Sequence, residues 1–206
     1  MMKETPIFEE ILRSLLRQPG LWQKLLVGGL LSFIPVVNLF AFGYLYRVSR
    51  SVRRAGRPVL PDWRLGSNWR GLFVDGLRFA VVWLAYWLLP ILLALLISWL
   101  MALVFLGALA NVVFISAVLY ATALFSSALY RYNMREEFKD LLDLNLIFRM
   151  TWMELPRLLI PVFFFLGLVF WLLPFYGFPL FGGFLVLIVY TSLRYRSIEA
   201  QRSVAL

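Results

Sequence analysis

The chain has 206 residues and a net charge of +9, and 62% of its residues are hydrophobic while only 15% are charged. A soluble domain is about 45–50% apolar. This chain therefore has too few polar side chains to cover a water-exposed surface, and lipid has to cover the remainder. It contains no cysteine and no histidine, which excludes disulfides, thiol chemistry, histidine-ligated metals and a histidine general base. The basic balance favours anionic lipid headgroups as partners, and no nucleic acid is expected.

In chain order, the first predicted element is an amphipathic helix over residues 5–17. Thr5 can cap this helix with Pro6 at its first position. Ile11 and Leu15 then share its apolar face. A helix of this kind is typical of the headgroup layer of a membrane.

Three apolar blocks without any charged residue follow, at residues 25–46, 79–130 and 158–193. One membrane span needs about 20 apolar residues, so the second and third blocks are each predicted to hold two helices. The first block has two interpretations. It is either a single span kinked at Pro35 or a re-entrant hairpin that turns around Pro35 to Asn38.

Turn signals place the breaks inside the two longer blocks. In the second block we expect the break between Gly107 and Asn111. In the third block, Pro174 and Pro179 should lie at or near a turn rather than within one long helix, because prolines and a glycine cluster there.

The basic residues are confined to four segments, at residues 1–24, 47–78, 131–157 and 194–206. The positive-inside rule counts Lys and Arg residues. If every apolar block is a hairpin, all four segments lie on one side, and the rule predicts that this side is the cytoplasm. A single-span first block would instead put the N-terminal segment on the opposite side, so we favour the hairpin.

The segments that connect the blocks are predicted to lie at the membrane interface, over residues 47–78 and 131–157. Within the latter, residues 135–150 form an amphipathic pattern in which Phe138 and Leu141 oppose Glu136. Each block is preceded by a tryptophan and followed by a tyrosine beside an arginine, which also suggests three related units of a surface helix and a hairpin. The aromatic residues predicted as interfacial anchors are Trp22, Trp63, Trp69, Trp152, Tyr46, Tyr130 and Tyr195.

A cluster of arginines follows the first block directly. Such a juxtamembrane cluster is typical of anionic-lipid binding, although it could serve as a topology signal alone. Its members are Arg47, Arg50, Arg53, Arg54 and Arg57.

A second set of residues is predicted to form turns or ion pairs. Asp62 can cap the helix that follows it, and Asp75 can pair with an arginine such as Arg78. The full set is Pro35, Asn38, Pro61, Asp62, Asp75, Arg78, Pro174 and Pro179.

The stretch from Gly43 to Pro90 resembles an uncharacterised family of prokaryotic membrane proteins, the domain of unknown function 4013. The matching phrases are GY-x-x-R, a basic helix ending in glycine, LPDW, and W-x-x-LFVDGL. The later half matches in hydropathy only. The resemblance implies a multi-span membrane domain, and hence the cytoplasmic (inner) membrane of a prokaryote, but no activity.

No residue pattern indicates catalysis, a cofactor or a metal site, and the apolar blocks carry no ionisable group for coupled transport. We therefore expect one membrane domain over residues 1–206 that is not an enzyme. It would interact with lipid or organise the membrane, or serve as an accessory subunit that contacts other membrane proteins or itself. The alternative is a permease or channel for an uncharged or lipidic solute. A lipid enzyme would need several of Asp62, Asp75, Arg78 and Glu154 to converge in one pocket.

Overall fold

The computed structural model describes residues 7–63, 65–135 and 137–204, without the side chains of residues 65–67, 135 and 201–204. All of the regular elements in these ranges are helical. They are α1 (Phe8–Leu16), α2 (Leu21–Ser32), α3 (Asn38–Ala55), α4 (Leu65–Trp83), a π-helical turn (Leu84–Leu88), α5 (Leu89–Leu103), α6 (Gly107–Arg135), a 3-10 turn (Phe138–Leu141), α7 (Leu144–Trp171), a 3-10 turn (Leu173–Phe175) and α8 (Gly177–Val204). The predicted cap of the first helix, Thr5 with Pro6, lies outside the described residues.

Helix α1 is amphipathic, as its sequence pattern predicts. Ile11 and Leu15 are buried, and Arg13 pairs with Glu9 at 2.9 Å on the exposed face. The acidic residues Glu9 and Glu10 lie in the first turn, where the helix dipole favours negative charge. The chain then turns at Gly20, which adopts a left-handed conformation with φ 71°.

The first apolar block forms a helical hairpin, so the alternative of one kinked helix is wrong. Helix α2 ends at Ser32 and α3 begins at Asn38. The turn between them contains Pro35, which cannot continue a helix hydrogen-bond ladder. Whether this hairpin is re-entrant in a bilayer stays a prediction.

Four helical stretches are long and apolar enough to cross a membrane. They are Asn68–Leu103, Gly107–Met134, Leu144–Trp171 and Gly177–Ala200. The turn of the second block lies at residues 104–106, slightly before the predicted position. Pro174 lies in the 3-10 turn between α7 and α8, and Pro179 lies in the first turn of α8, so the predicted turn of the third block is confirmed.

The prediction of one amphipathic helix over residues 135–150 is wrong. Helix α6 ends at Arg135, and α7 begins only at Leu144 after a short 3-10 turn, while Glu136 lies outside the described residues. Asp143 explains the new start, because its carboxylate accepts a hydrogen bond from the amide of Leu146 at 3.2 Å and so caps α7. Helix α7 then runs on through Pro156.

The sequence suggested three related units, each with a separate helix before its hairpin. In the described ranges, only the first hairpin is preceded by such a helix, α1. Before the second hairpin, α4 passes through a kink at Asn68, which is not helical (φ −148°, ψ 44°). The Asn68 side chain accepts a hydrogen bond from the amide of Gly71 at 3.1 Å. Asn68 therefore caps the helix after the kink, which is the role that the sequence assigned to Asp62.

The chain divides into two compact units. The first unit comprises Met1–Ala80 and Phe163–Leu206. In this unit α2 runs antiparallel to α8, because the ring of Phe181 packs on Gly28 and the ring of Phe178 packs on Gly29. The close approach explains the glycine pair, since any side chain at either position would collide with a ring.

Helix α3 runs parallel to α8 in the same unit. Tyr44 contacts Phe181 near the start of α8, and Ser49 shares a hydrogen bond of 3.2 Å with Ser192 further along. A core of aromatic rings fills the space between the helices, including Phe184.

The second unit, Val81–Val162, is built on the hairpin of α5 and α6. The hydroxyl of Ser98 donates to the carbonyl of Ala110 at 3.1 Å near the turn, and Trp87 donates to Thr122 at 3.1 Å further along the hairpin. The α5 surface is otherwise apolar and exposed, as expected for a helix that faces lipid.

Candidate functional site: the charged end of the first unit

The arginine cluster lies at the C-terminal part of α3, and the structure divides it. Arg47 pairs with Asp75 at 2.8 Å, and Arg78 reaches the same carboxylate at 3.5 Å. The Arg47 and Asp75 side chains are only 23% and 12% exposed. Arg47 is therefore engaged inside the protein, and Asp75 holds the ion pair that the sequence suggested for it.

The other four arginines of the cluster differ in how exposed their side chains are. Arg50 lies over the ring of Tyr46 at 5.9 Å, and Arg53 is half-buried. Arg54 and Arg57 are exposed. The part of the cluster that is open to headgroups thus lies at its end, where α3 stops.

The end of α3 is capped from α8. The guanidinium of Arg196 donates to the carbonyl oxygens of Arg53 at 2.7 Å and Arg54 at 3.0 Å. These carbonyl oxygens lie at the end of α3, where no further turn of the helix supplies an N–H group to donate a hydrogen bond to them. Gly56 then ends the helix in a left-handed conformation (φ 67°), and a side chain there would collide with the Arg196 guanidinium.

After Gly56 the chain folds back along the first hairpin instead of leaving it. Gln18 donates to the carbonyl of Pro58 at 2.7 Å. The ammonium of Lys24 donates to the carbonyl of Leu60 at 3.0 Å and pairs with Asp62 at 3.3 Å. Asp62 therefore belongs to an ion pair with α2.

The LPDW phrase continues this fold-back. The Tyr44 hydroxyl donates to the carbonyl of Pro61 at 2.9 Å, and Trp63 stacks on the Tyr44 ring at 4.2 Å. Trp63 is consequently a packing residue of the first unit, whereas the sequence predicted an interfacial anchor.

The fold-back also brings the chain next to Arg17 close to the chain next to Arg57. Arg17 precedes Gln18 and Arg57 precedes Pro58, and these two neighbours are hydrogen-bonded to each other. Arg17 is exposed, as are Arg54 and Arg57. We call these three residues the arginine surface. Sequence spacing could not find it, since Arg17 lies far from the others along the chain.

The predicted aromatic anchors separate by residue type. Trp22, Trp69 and Trp152 are exposed, as an interfacial position requires. The tyrosines lie in the protein interior instead, where they are fully or almost fully buried. These buried tyrosines are Tyr46, Tyr130 and Tyr195.

The second unit has its own charged contacts. Arg131 pairs with Asp140 at 3.0 Å, and Arg157 pairs with Glu154 at 3.1 Å. The Arg131 pair was missed at the sequence level because the predicted helix over residues 135–150 put Asp140 on its polar face. Within the described ranges, no three metal-ligating side chains come together.

Long apolar helices, polar contacts at helix ends and an apolar exposed surface together define an all-α polytopic membrane protein. The family model described as "Protein of unknown function (DUF4013)" matches residues 27–187. That range is more than half of the chain, and the chain therefore belongs to this family. No curated protein and no solved structure matches it.

Proposed function

We propose that this protein is a non-enzymatic membrane component whose arginine surface binds anionic lipid headgroups. One observation carries the proposal. Arg17, Arg54 and Arg57 are exposed, and among the residues that the structure describes no carboxylate lies within ion-pair distance of them. The acid nearest to Arg54 and Arg57 along the chain, Asp62, is paired with Lys24.

Guanidinium groups that share a surface without carboxylates repel one another when they lie close together, and an anion between them removes this repulsion. Lipid phosphates supply that anion, and guanidinium forks match their oxygens with paired hydrogen bonds. Leu16 and Trp22, which are close to Arg17 along the chain, are also exposed, and such apolar side chains can enter the acyl boundary below the headgroups. Charge and apolar contact thus favour the same partner, a membrane surface.

The permease alternative relies on helices broken at Pro35 and Pro174, which resemble the discontinuous helices of transport sites. In this chain the two turns pack on each other, because the Phe33 and Tyr176 rings are 4.8 Å apart. That contact favours a closed structural role for the broken helices, and we place the permease second.

We expect the four basic segments to face the cytoplasm of a prokaryotic cell. The chain has no native cysteine, so single cysteines can be labelled in intact cells with a membrane-impermeant maleimide. Ser14→Cys and Ser51→Cys should be protected, whereas Phe105→Cys, at the exposed turn of the second hairpin, should react. Rapid labelling of Ser14→Cys with protection of Ser51→Cys would contradict this topology.

Removing the arginine surface should reduce the anionic lipid that copurifies with the protein. Each basic residue near a membrane surface contributes about 1 kcal/mol to this attraction, so the triple variant Arg17→Gln, Arg54→Gln, Arg57→Gln should lose about 3 kcal/mol at low salt. Lipid mass spectrometry of the purified variant measures the loss.

The control variant removes three positive charges elsewhere, as Arg13→Gln, Lys139→Gln and Arg149→Gln. These side chains are exposed, and Arg13 is already paired with Glu9. The control should keep most of the anionic lipid. Equal losses in the two variants would mean that net charge alone attracts lipid, and unchanged lipid in a correctly inserted triple variant would remove the support for the proposal.

A further inference from the structure

We infer that the turns of the first and second hairpins are held at the membrane by one apolar side chain each, Val36 and Phe105, which is inserted among the acyl chains below the headgroups. We call these two residues the turn anchors. The inference concerns the hairpin turns and does not depend on the arginine surface. It follows from the backbone conformation of the two residues, from the hydrogen bonds of the turns, and from the exposed surface that continues from them.

The turn anchors share a backbone conformation that is unusual for their residue types. Among the described residues four have a positive φ, and two of these are glycines, Gly20 (φ 71°) and Gly56 (φ 67°). Each glycine has a charged residue within three positions along the chain. The other two are Val36 (φ 69°) and Phe105 (φ 63°), and both lie inside charge-free blocks. The chain thus uses glycine where the surroundings of the turn are charged, and a bulky apolar residue where they are apolar.

This conformation costs free energy in valine and phenylalanine, because Cβ crowds the backbone carbonyl. Glycine adopts it without that strain. The glycine of the second turn, Gly107, nevertheless begins α6 without a positive φ, and Phe105 takes the strained position. A strained residue is compatible with a stable turn only when other interactions of that residue outweigh the strain. An apolar side chain supplies such an interaction when it is removed from water.

The backbone of the second turn does not need water as a hydrogen-bond acceptor. The N–H of Leu106 donates to the carbonyl of Met101 at 3.1 Å, and the N–H of Phe105 donates to Ala102 at 3.2 Å. This pair of bonds closes a helix end around a left-handed residue that is usually glycine. The N–H of Val104 donates to Met101 at 3.2 Å. All three N–H groups of the turn are therefore satisfied inside the protein, as a turn in contact with lipid requires.

The first turn follows the same principle. The N–H of Ile34 donates to the carbonyl of Leu31 at 3.4 Å, and the N–H of Val37 donates to Pro35 at 2.9 Å. Pro35 itself has no N–H group. Ile34 and Val36 are both exposed, so this turn also presents apolar side chains outward.

The partner that fits the second turn is lipid. Phe105 is 97% exposed, so the described part of the chain leaves its ring uncovered. The apolar surface next to Phe105 continues over Leu100 and Leu103 of α5 and over Leu109 of α6, which are also exposed. These helices present that surface to acyl chains. The same acyl chains cover the ring when the turn lies at the boundary between hydrocarbon and headgroups.

The experiment measures water access beside the anchor, because a cysteine at Phe105 itself would remove the ring. Val104→Cys lies next to Phe105, and Lys139→Cys, in the charged 3-10 turn Phe138–Leu141, is the matched control. Both positions are exposed, and the chain has no other cysteine. Each full-length variant is reconstituted in nanodiscs of zwitterionic phosphatidylcholine, which leave both faces open to an impermeant maleimide.

We expect Val104→Cys to react several-fold more slowly than Lys139→Cys. Adding Phe105→Asn should raise the rate at Val104→Cys several-fold, because asparagine tolerates the left-handed conformation but its amide is costly to place in hydrocarbon. Adding Phe105→Leu, which keeps an apolar side chain, should leave the rate low. The pair Ile34→Cys with Val36→Asn or Val36→Leu repeats the comparison at the first turn.

Equal rates at Val104→Cys and Lys139→Cys would place the turn in water and overturn the inference, and this comparison needs no change at Phe105. Equal rates in the Phe105→Asn and Phe105→Leu variants would show that the ring is not an anchor. A nitroxide on Val104→Cys should collide with dissolved oxygen more often than with a water-soluble nickel complex. Shielding from both would mean that a second copy of the chain covers the turn, which would overturn the assignment to lipid. The lipid is zwitterionic, so either result leaves the anionic-lipid proposal to its own test.

Discussion

Replacing Gly76 with alanine should lower the free energy of unfolding of the first unit by about 1–3 kcal/mol, the usual cost of overpacking. Helices α3 and α4 cross at Gly43 and Gly76, and a methyl group on Gly76 would overlap the carbonyl oxygen of Leu39. One on Gly43 would overlap the carbonyl oxygen of Leu72. Backbone atoms cannot move aside as a flexible side chain can, so the helices would have to separate. Thermal unfolding of the purified protein, followed by circular dichroism in detergent, measures the effect.

Gly167→Ala is the matched control. Gly167 also lies within a long helix, α7, and a methyl group there would meet nothing within 4 Å. Since alanine favours a helix over glycine by up to about 1 kcal/mol, this variant should be as stable as the parent or slightly more so. A Gly76→Ala variant that unfolds at the same temperature as Gly167→Ala would show that the crossing tolerates a larger separation.

Replacing Asp75 with asparagine should cost about 3 kcal/mol. Removing one partner of a buried ion pair typically costs about 3–5 kcal/mol, because it leaves a charge without its counterion. The expected value lies at the lower end, since the Arg47 side chain is still 23% exposed. The same unfolding measurement applies, and the variant should also show faster amide exchange in the part of α3 around Arg47.

Two further variants separate the ion pair from a general loss of charge. Glu9→Gln breaks the exposed pair with Arg13, whose side chains are 65% and 76% exposed, and should cost less than about 1 kcal/mol. The double variant Arg47→Met, Asp75→Leu removes both buried charges together and should recover most of the loss. If the double variant were as unstable as Asp75→Asn, the carboxylate would matter for its shape or hydrogen bonding and not for its charge.

The sequence predicted the parts of this fold that follow from solvation. Charge-free runs predicted the helical blocks, because a charged side chain inside a membrane costs free energy. Prolines predicted the turns at Pro35 and Pro174, because broken backbone hydrogen bonds are costly in lipid. The ion pair of Asp75 was also foreseen, because few acids lie near so many bases. These features depend on composition within a short window.

Contacts between distant segments could not be predicted in the same way. In a soluble protein the apolar periodicity of a helix shows which face is buried. It does not do so here, since lipid-facing and buried residues are both apolar. Tyr46 and Trp22 therefore looked alike in the sequence, although one is buried and the other exposed. The return of Trp63 onto Tyr44 and the contact of Gln18 with Pro58 depend on the direction of the fold-back after Gly56. Gly56 and Pro61 indicate a turn in the sequence but not the direction that the chain takes.

The first unit is formed by two separate stretches of the chain, and this has a consequence for biosynthesis. Its N-terminal part ends at Ala80, and its remainder starts at Phe163, so 82 residues of the second unit are translated in between. Another 14 residues of α7 and the turn precede α8, which starts at Gly177, so at about 5–20 residues per second the first hairpin waits roughly 5–19 s for α8. During that interval Gly28 and Gly29 lack the rings of Phe181 and Phe178, and the last carbonyls of α3 lack Arg196. The nascent hairpin must therefore be shielded by lipid or by the insertion machinery, and a pause in translation after residue 80 should prolong its exposure to membrane proteases.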